Sequence, residues 1–154
     1  MQTVTSNLAY VVVLNDKPLE WSSLTFLDTV VERGRYYHPV GGGKGRWPSK
    51  PPNYLAFRYW GKLQRVHHVE AYDVITHPHD YIPEISDAVD WSEEPHFLYE
   101  LGPAIEPPVE IGTGNLWRNQ RVWVALDLLL SSPTIAQART ATRARHEAAD
   151  IPYP

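Results

Sequence analysis

Residues 53–75 (NYLAFRYWGKLQRVHHVEAYDVI) constrain the fold of this 154-residue chain more than any other stretch. Two runs rich in β-formers, 53–59 and 62–75, flank Trp60-Gly61. A two-residue connection containing glycine between such runs signals a β-hairpin. With that loop, Tyr59 pairs with Lys62 and Phe57 with Gln64. Leu55, Phe57, Tyr59, Val66 and His68 then share one face, and Tyr54, Arg58, Leu63, Arg65, His67 and Val69 the other. Both faces mix apolar and polar side chains, so the pattern does not choose an inner one.

Other elements follow from periodicity and punctuation. Ala9 to Leu14 (AYVVVL) is a continuous apolar, β-branched run and reads as a buried strand. Ser22 or Ser23 can cap a helix reaching Arg33, with Leu24, Leu27, Val30 and Val31 as its buried face and Gly34 as its stop. Residues 36–52 are dense in Gly and Pro and read as loop. Residues 77–95 also read as loop. Short strands are expected at 97–101 and 109–111. Residues 121–130 (RVWVALDLLL) suit a helix or a buried strand. Ser132-Pro133 opens a last helix to about Ala148.

The sequence therefore predicts an α+β fold: a mainly antiparallel sheet or small mixed barrel, with one N-terminal and two C-terminal helices. No linker or repeat divides it, so residues 1–154 are expected to form one globular domain. Zero Cys excludes a disulfide scaffold, a thiolate metal site and a Cys nucleophile. No apolar run approaches the roughly 20 residues that span a bilayer. Residues 1–14 lack the basic and apolar regions of a signal peptide, so a cytoplasmic protein without a membrane partner is the expectation.

Charge is blocked along the chain. Arg33 to Arg65 holds eight cations and no carboxylate, and Val66 to Leu116 holds eleven carboxylates and no Lys or Arg. Trp117 to Arg145 holds five Arg and one Asp. Within the basic block, aromatic residues alternate with cations, the pairing that nucleic acid requires: cations for phosphates, ring faces for bases. The candidate contacts are Arg33, Arg35, Tyr36, Lys44, Arg46, Trp47, Tyr54, Arg58, Trp60 and Arg65. Arg118, Arg121, Arg139 and Arg143 extend the positive surface if the fold brings them near. The loop Gly41-Gly42-Gly43-Lys44-Gly45 is not a Walker A loop, because Gly45 stands where Ser or Thr is needed. It reads as a flexible loop offering Lys44 and Arg46 to phosphate.

A second constellation lies at 67–80: His67, His68, Glu70, Asp73, His77, His79 and Asp80. Imidazole and carboxylate suit zinc, manganese or iron, and His68, Glu70, His77 and His79 are the candidate ligands of a metal-dependent hydrolase or nuclease. No HExxH, no PD-(D/E)xK and no GxSxG accompanies them. The acidic block offers a third reading, a docking face for a basic protein partner through Asp87, Asp90, Glu93 and Glu94.

Residues 53–75 resemble a hairpin of the PUA-like superfamily, which includes ASCH, EVE and YTH domains. The preceding strand, helix and aromatic loop agree in order, and the resemblance covers the first half of the chain. It implies a small mixed barrel that binds RNA or a modified base, with Trp47, Tyr54, Tyr59 and Trp60 as pocket aromatics and residues 76–154 as an addition. The leading expectation is non-enzymatic recognition of nucleic acid or a nucleotide, with no cofactor.

Overall fold

A computed structural model describes residues 7–19, 24–41, 47–85 and 94–154. It is α+β. Among the described residues six strands, β1 (Leu8–Val13), β2 (Arg35–Pro39), β3 (Tyr54–Tyr59), β4 (Lys62–Ile75), β5 (His96–Leu101) and β6 (Val122–Ala125), neighbour one another in the order β2-β5-β4-β3-β1-β6. Among the described residues three α-helices accompany them: α1 (Phe26–Val31), α2 (Leu126–Ser131) and α3 (Ile135–Ala148). The strand order ends at β2 and β6, and the sheet is not closed, so the barrel alternative is set aside. No helix among the described residues is long and apolar enough to cross a membrane. The chain divides into two compact units, residues 1–13, 52–68 and 104–154, and residues 14–51 and 69–103. Strand β4 contributes its first half to one and its second half to the other.

In the first unit β1 is central. It runs parallel to β3, from Ala9↔Tyr54 to Val13↔Arg58, and antiparallel to β6. Ala9 to Val12 are buried on both faces of the sheet, which is what the unbroken apolar run supplies. Ala9, Val11, Ala56, Leu63, Val66, Val122 and Val124 pack with Leu129, Ile135 and Ala138 of the two C-terminal helices. Residues 121–130 satisfy both readings in turn, since β6 passes directly into α2 at Leu126. Helix α3 begins later than expected. Thr134 caps it by accepting from the Gln137 N–H at 3.1 Å, and Ser132-Pro133 lie outside. The buried Thr142 hydroxyl donates to Ala138 O at 2.8 Å and accepts from Ala125 N–H at 3.0 Å, tying α3 to the end of β6. Residues 109–111 are no strand, although the Leu63 N–H reaches Ile111 O at 2.8 Å.

The hairpin turn is as read, and its register is not. Trp60 (φ 55°) and Gly61 (φ 77°) both lie in the left-handed region, as a type I′ turn requires. Tyr59 pairs with Lys62 and Arg58 with Leu63, but Phe57 faces Arg65 rather than Gln64. Gln64 is an extra residue, and its amide Nε2 donates to Tyr59 O at 2.9 Å. The bulge reshuffles the expected faces: Phe57 with Arg65 and Leu55 with His67 on one, Ala56 with Val66 and Tyr54 with His68 on the other.

The second unit carries a strand that the loop reading of 36–52 missed. Strand β2 pairs antiparallel with β5, and β5 with the second half of β4. One cluster joins Leu19, Leu24, Tyr37, Ile75, Ile82, Ile85 and Leu98. Helix α1 is shorter than predicted. It starts after Thr25, whose hydroxyl accepts from the Asp28 N–H while the Asp28 carboxylate accepts from the Thr25 N–H. The proposed caps Ser22 and Ser23 lie outside the described residues, and Gly34 takes the expected positive φ of 62°.

Candidate nucleic-acid interface

The ten candidate contacts do not form one set. Tyr54, Arg58, Trp60 and Arg65 belong to the first unit, Arg33, Arg35, Tyr36 and Trp47 to the second, and Lys44 and Arg46 lie outside the described residues. The unit boundary therefore cuts the basic block. The first unit gains Arg58, Lys62, Arg65 and the five arginines from Arg118 to Arg145, against five carboxylates. The second keeps six cations against thirteen carboxylates. The mild acidity of the whole chain thus conceals a net-cationic unit.

Within that unit the hairpin tip is joined to the segment 111–120. Besides the Leu63–Ile111 bond, the Thr113 N–H donates to Gly61 O at 3.0 Å. Further along, Gln120 N–H closes a turn on Trp117 O at 3.1 Å, and Gln120 Oε1 accepts from Trp117 N–H at 3.1 Å. Arg58 fastens this turn to β3. Its guanidinium donates to Trp117 O at 2.8 Å and Gln120 O at 3.0 Å. The side chain is buried, burial holds it below its ordinary pKa, and Nε has no hydrogen-bond acceptor among the described residues. Arg58 therefore positions a loop and presents no charge to a phosphate.

The two connected segments hold up two tryptophans. Trp60 is 78% exposed at the hairpin tip and Trp117 is 81% exposed on the clamped turn. Tryptophan is among the side chains least often left in water, so two bare rings on joined loops need a reason. Tyr59 meets Trp60 edge-on with centroids 5.1 Å apart, which restricts the ring. Cations accompany them. Arg118 is exposed beside Trp117, and Lys62 follows the turn, 3.9 Å from Glu110. Arg121 donates to the Tyr10 hydroxyl at 2.9 Å; burial raises that hydroxyl's pKa, and Arg121 opposes the rise. Tyr54 is half-buried, edge-on to His68 at 5.3 Å, and Arg65 is half-buried opposite Phe57.

The second unit uses its candidates internally. Arg33 pairs with Glu84, and Arg35 donates to Tyr81 O at 2.7 Å. Tyr36 is buried. Trp47 stacks on the buried His38, with centroids 4.7 Å apart and planes 6° from parallel. His38 Nδ1 lies 2.7 Å from Pro39 O, which only accepts, so Nδ1 carries a proton, and Nε2 and the Tyr99 hydroxyl share a hydrogen bond at 2.6 Å.

The histidine constellation is dispersed. His67 is buried against Phe57, His79 Nδ1 meets Ile85 O, and His68, Asp73, His77 and Asp80 are exposed. Glu70 is exposed too, and a bulge between Val69 and Ala71 leaves it out of the ladder with β5. Among the described residues no three His, Asp or Glu side chains are grouped to hold a metal ion. Of the acidic docking residues, Asp87, Asp90 and Glu93 lie outside the described residues, and Glu94 is exposed.

Sequence reasoning missed Trp117. Its partner signal was Arg58, but what Arg58 binds is backbone carbonyl, which leaves no mark on residue identity. Comparison of the chain with protein-family models, curated proteins and solved structures finds no match.

Proposed function

We propose that this chain binds single-stranded nucleic acid, without catalysis, through the Trp60 and Trp117 end of its first unit. The observation that carries the reading is the pair of exposed tryptophans on two loops joined by Arg58 and by the Gly61–Thr113 bond. Exposed rings accept the faces of unpaired bases, which a duplex keeps stacked on one another. Arg118 and Lys62 supply charge for the backbone, and the net-cationic unit draws a polyanion to an otherwise acidic chain. The resemblance of residues 53–75 to PUA-like hairpins supports the same reading, because that hairpin carries Trp60.

The test is anisotropy of a labelled RNA or DNA 12-mer, single-stranded and duplex, titrated with the full chain over a range of salt. Each base stacked on an aromatic ring contributes about 1–3 kcal/mol, so Trp60→Ala and Trp117→Ala should each weaken single-strand binding roughly tenfold. Binding should fall steeply with added salt. Absence of salt-sensitive binding, or a double variant that binds like the parent, removes the proposal.

A further inference from the structure

Among the described residues, the second half of β4 has a neighbour on one side only. Residues Val69 to Ile75 pair with β5, while the ladder with β3 stops at His68. An open edge presents a row of N–H and C=O groups, and proteins usually blunt such edges with charged side chains, Pro or a β-bulge; here the bulge between Val69 and Ala71 leaves residues 71–75 as the regular part of the edge. The open edge of β2 has Pro39. Residues 71–75 (AYDVI) have no Lys and no Pro, and two β-formers stand out from them: Tyr72 is 52% exposed and Val74 58%.

The two faces of this edge differ in chemistry. On one, Tyr72 stands opposite Tyr99 and Val74 opposite Phe97, both buried, so the exposed pair continues a largely apolar row outward. Tyr72 meets Phe97 edge-on at 5.7 Å. On the other, Ala71 and Asp73 line a cavity of about 150 Å³ with Arg35, Tyr81, Leu98 and Glu100, and Tyr72 and Tyr99 border it as well. Arg35 is anchored there by Tyr81 O, and Asp73 and Glu100 are exposed.

We propose that the Val69–Ile75 edge of β4 accepts an extended, cationic peptide as an added strand. Its apolar side chains would lie along Tyr72 and Val74, and a Lys or Arg on the opposite face would reach Asp73 and the cavity beside Glu100. Charge selects this occupant. The unit holds thirteen carboxylates against six cations, so a basic segment is drawn to it. A second copy is disfavoured, because antiparallel pairing of two such edges about Asp73 sets like charges opposite each other. Alternating side-chain pockets along a backbone ladder are the mode by which strand addition gains specificity. The site and the ligand class are separate from those of the proposed nucleic-acid surface.

The experiment is amide hydrogen exchange on the full chain with three six-residue peptides: one alternating Lys and Val, its Glu-Val counterpart, and the Lys-Val peptide with alternate amides N-methylated. The Lys-Val peptide should slow exchange on the order of tenfold at alternate amides between Ala71 and Ile75. The other two should not, and Asp73→Asn should weaken the effect while Asp73→Lys shifts preference to the Glu-Val peptide. Equal protection by the Lys-Val and Glu-Val peptides overturns the proposal, as does undiminished binding of the N-methylated form, which would mean charge attraction without a ladder. Protection that rises with chain concentration alone assigns the edge to a second copy, and protection by an RNA oligonucleotide assigns it to nucleic acid. Either result also overturns it.

Discussion

Replacing Arg58 with Met separates a positioning arginine from a phosphate-binding one. The substitution keeps a long unbranched chain and removes two donors, those to Trp117 O at 2.8 Å and Gln120 O at 3.0 Å. A hydrogen bond from a charged donor contributes about 1.5 kcal/mol at the low end of its range, so two contribute roughly 3. Against this stands the burial of the guanidinium, whose lowered pKa and acceptor-less Nε show that desolvation is incompletely repaid. A net loss of about 2 kcal/mol in unfolding free energy follows, read as a shift in urea midpoint at unchanged slope. Amide exchange from Trp117 to Gln120 should quicken by more than global destabilisation explains, because the turn is released from β3. Single-strand affinity should fall with the salt slope intact, since no phosphate contact is removed. If Arg58→Met leaves stability within about 0.5 kcal/mol of the parent while lowering the salt slope by about one unit, Arg58 contacts phosphate and the reasoning is refuted.

Three further outcomes test the packing. Gly61 and Gly114 share a φ of 77°, but a Cβ at Gly61 would meet nothing within 4 Å while one at Gly114 would come within 2.8 Å of Ala136 Cβ. Gly61→Ala should therefore lose about 1 kcal/mol from backbone conformation alone, and Gly114→Ala clearly more, in paired thermal melts. Thr142→Val strands the buried Ala125 N–H and should destabilise by about 1–3 kcal/mol, whereas Thr142→Ser, which retains the hydroxyl, should recover most of it. Asp127 accepts two hydrogen bonds from Arg145, at 2.9 and 2.7 Å, and that guanidinium lowers its pKa. A depressed carboxylate stabilises the fold above its unfolded pKa and ceases to as pH falls through the folded value. Asp127→Asn should therefore flatten the stability curve below about pH 4. The pair is half-exposed, so the effect should stay below about 1 kcal/mol.

What was legible in the sequence is local. Trp60-Gly61 announced its turn because Gly61 tolerates the positive φ that a type I′ loop needs, and Ala9 to Leu14 announced a buried strand because no polar residue interrupts it beyond the Tyr10 hydroxyl. The α+β class and the two C-terminal helices followed in outline from such signals. The hairpin faces did not, because the bulge at Gln64 is fixed by a side chain folding back on Tyr59 O, and a glutamine in a strand looks like any other polar residue. Strand β2 was hidden by its neighbours: Tyr36, Tyr37 and His38 stand directly before a Gly- and Pro-rich stretch, and only pairing with β5 makes them a strand.

The candidate site was misread for a topological reason. Charge blocks are linear, whereas the first unit is assembled from residues 52–68 and the distant 104–154. The basic block therefore divides at Pro51-Pro52, and the C-terminal arginines replace its lost half. Strand β4 marks where the sign turns: Arg65 is the last cation before it and Glu70 the first carboxylate after it, and the unit boundary falls between them at His68 and Val69. One continuous strand thus ends a cationic surface at its first half and opens an acidic edge at its second.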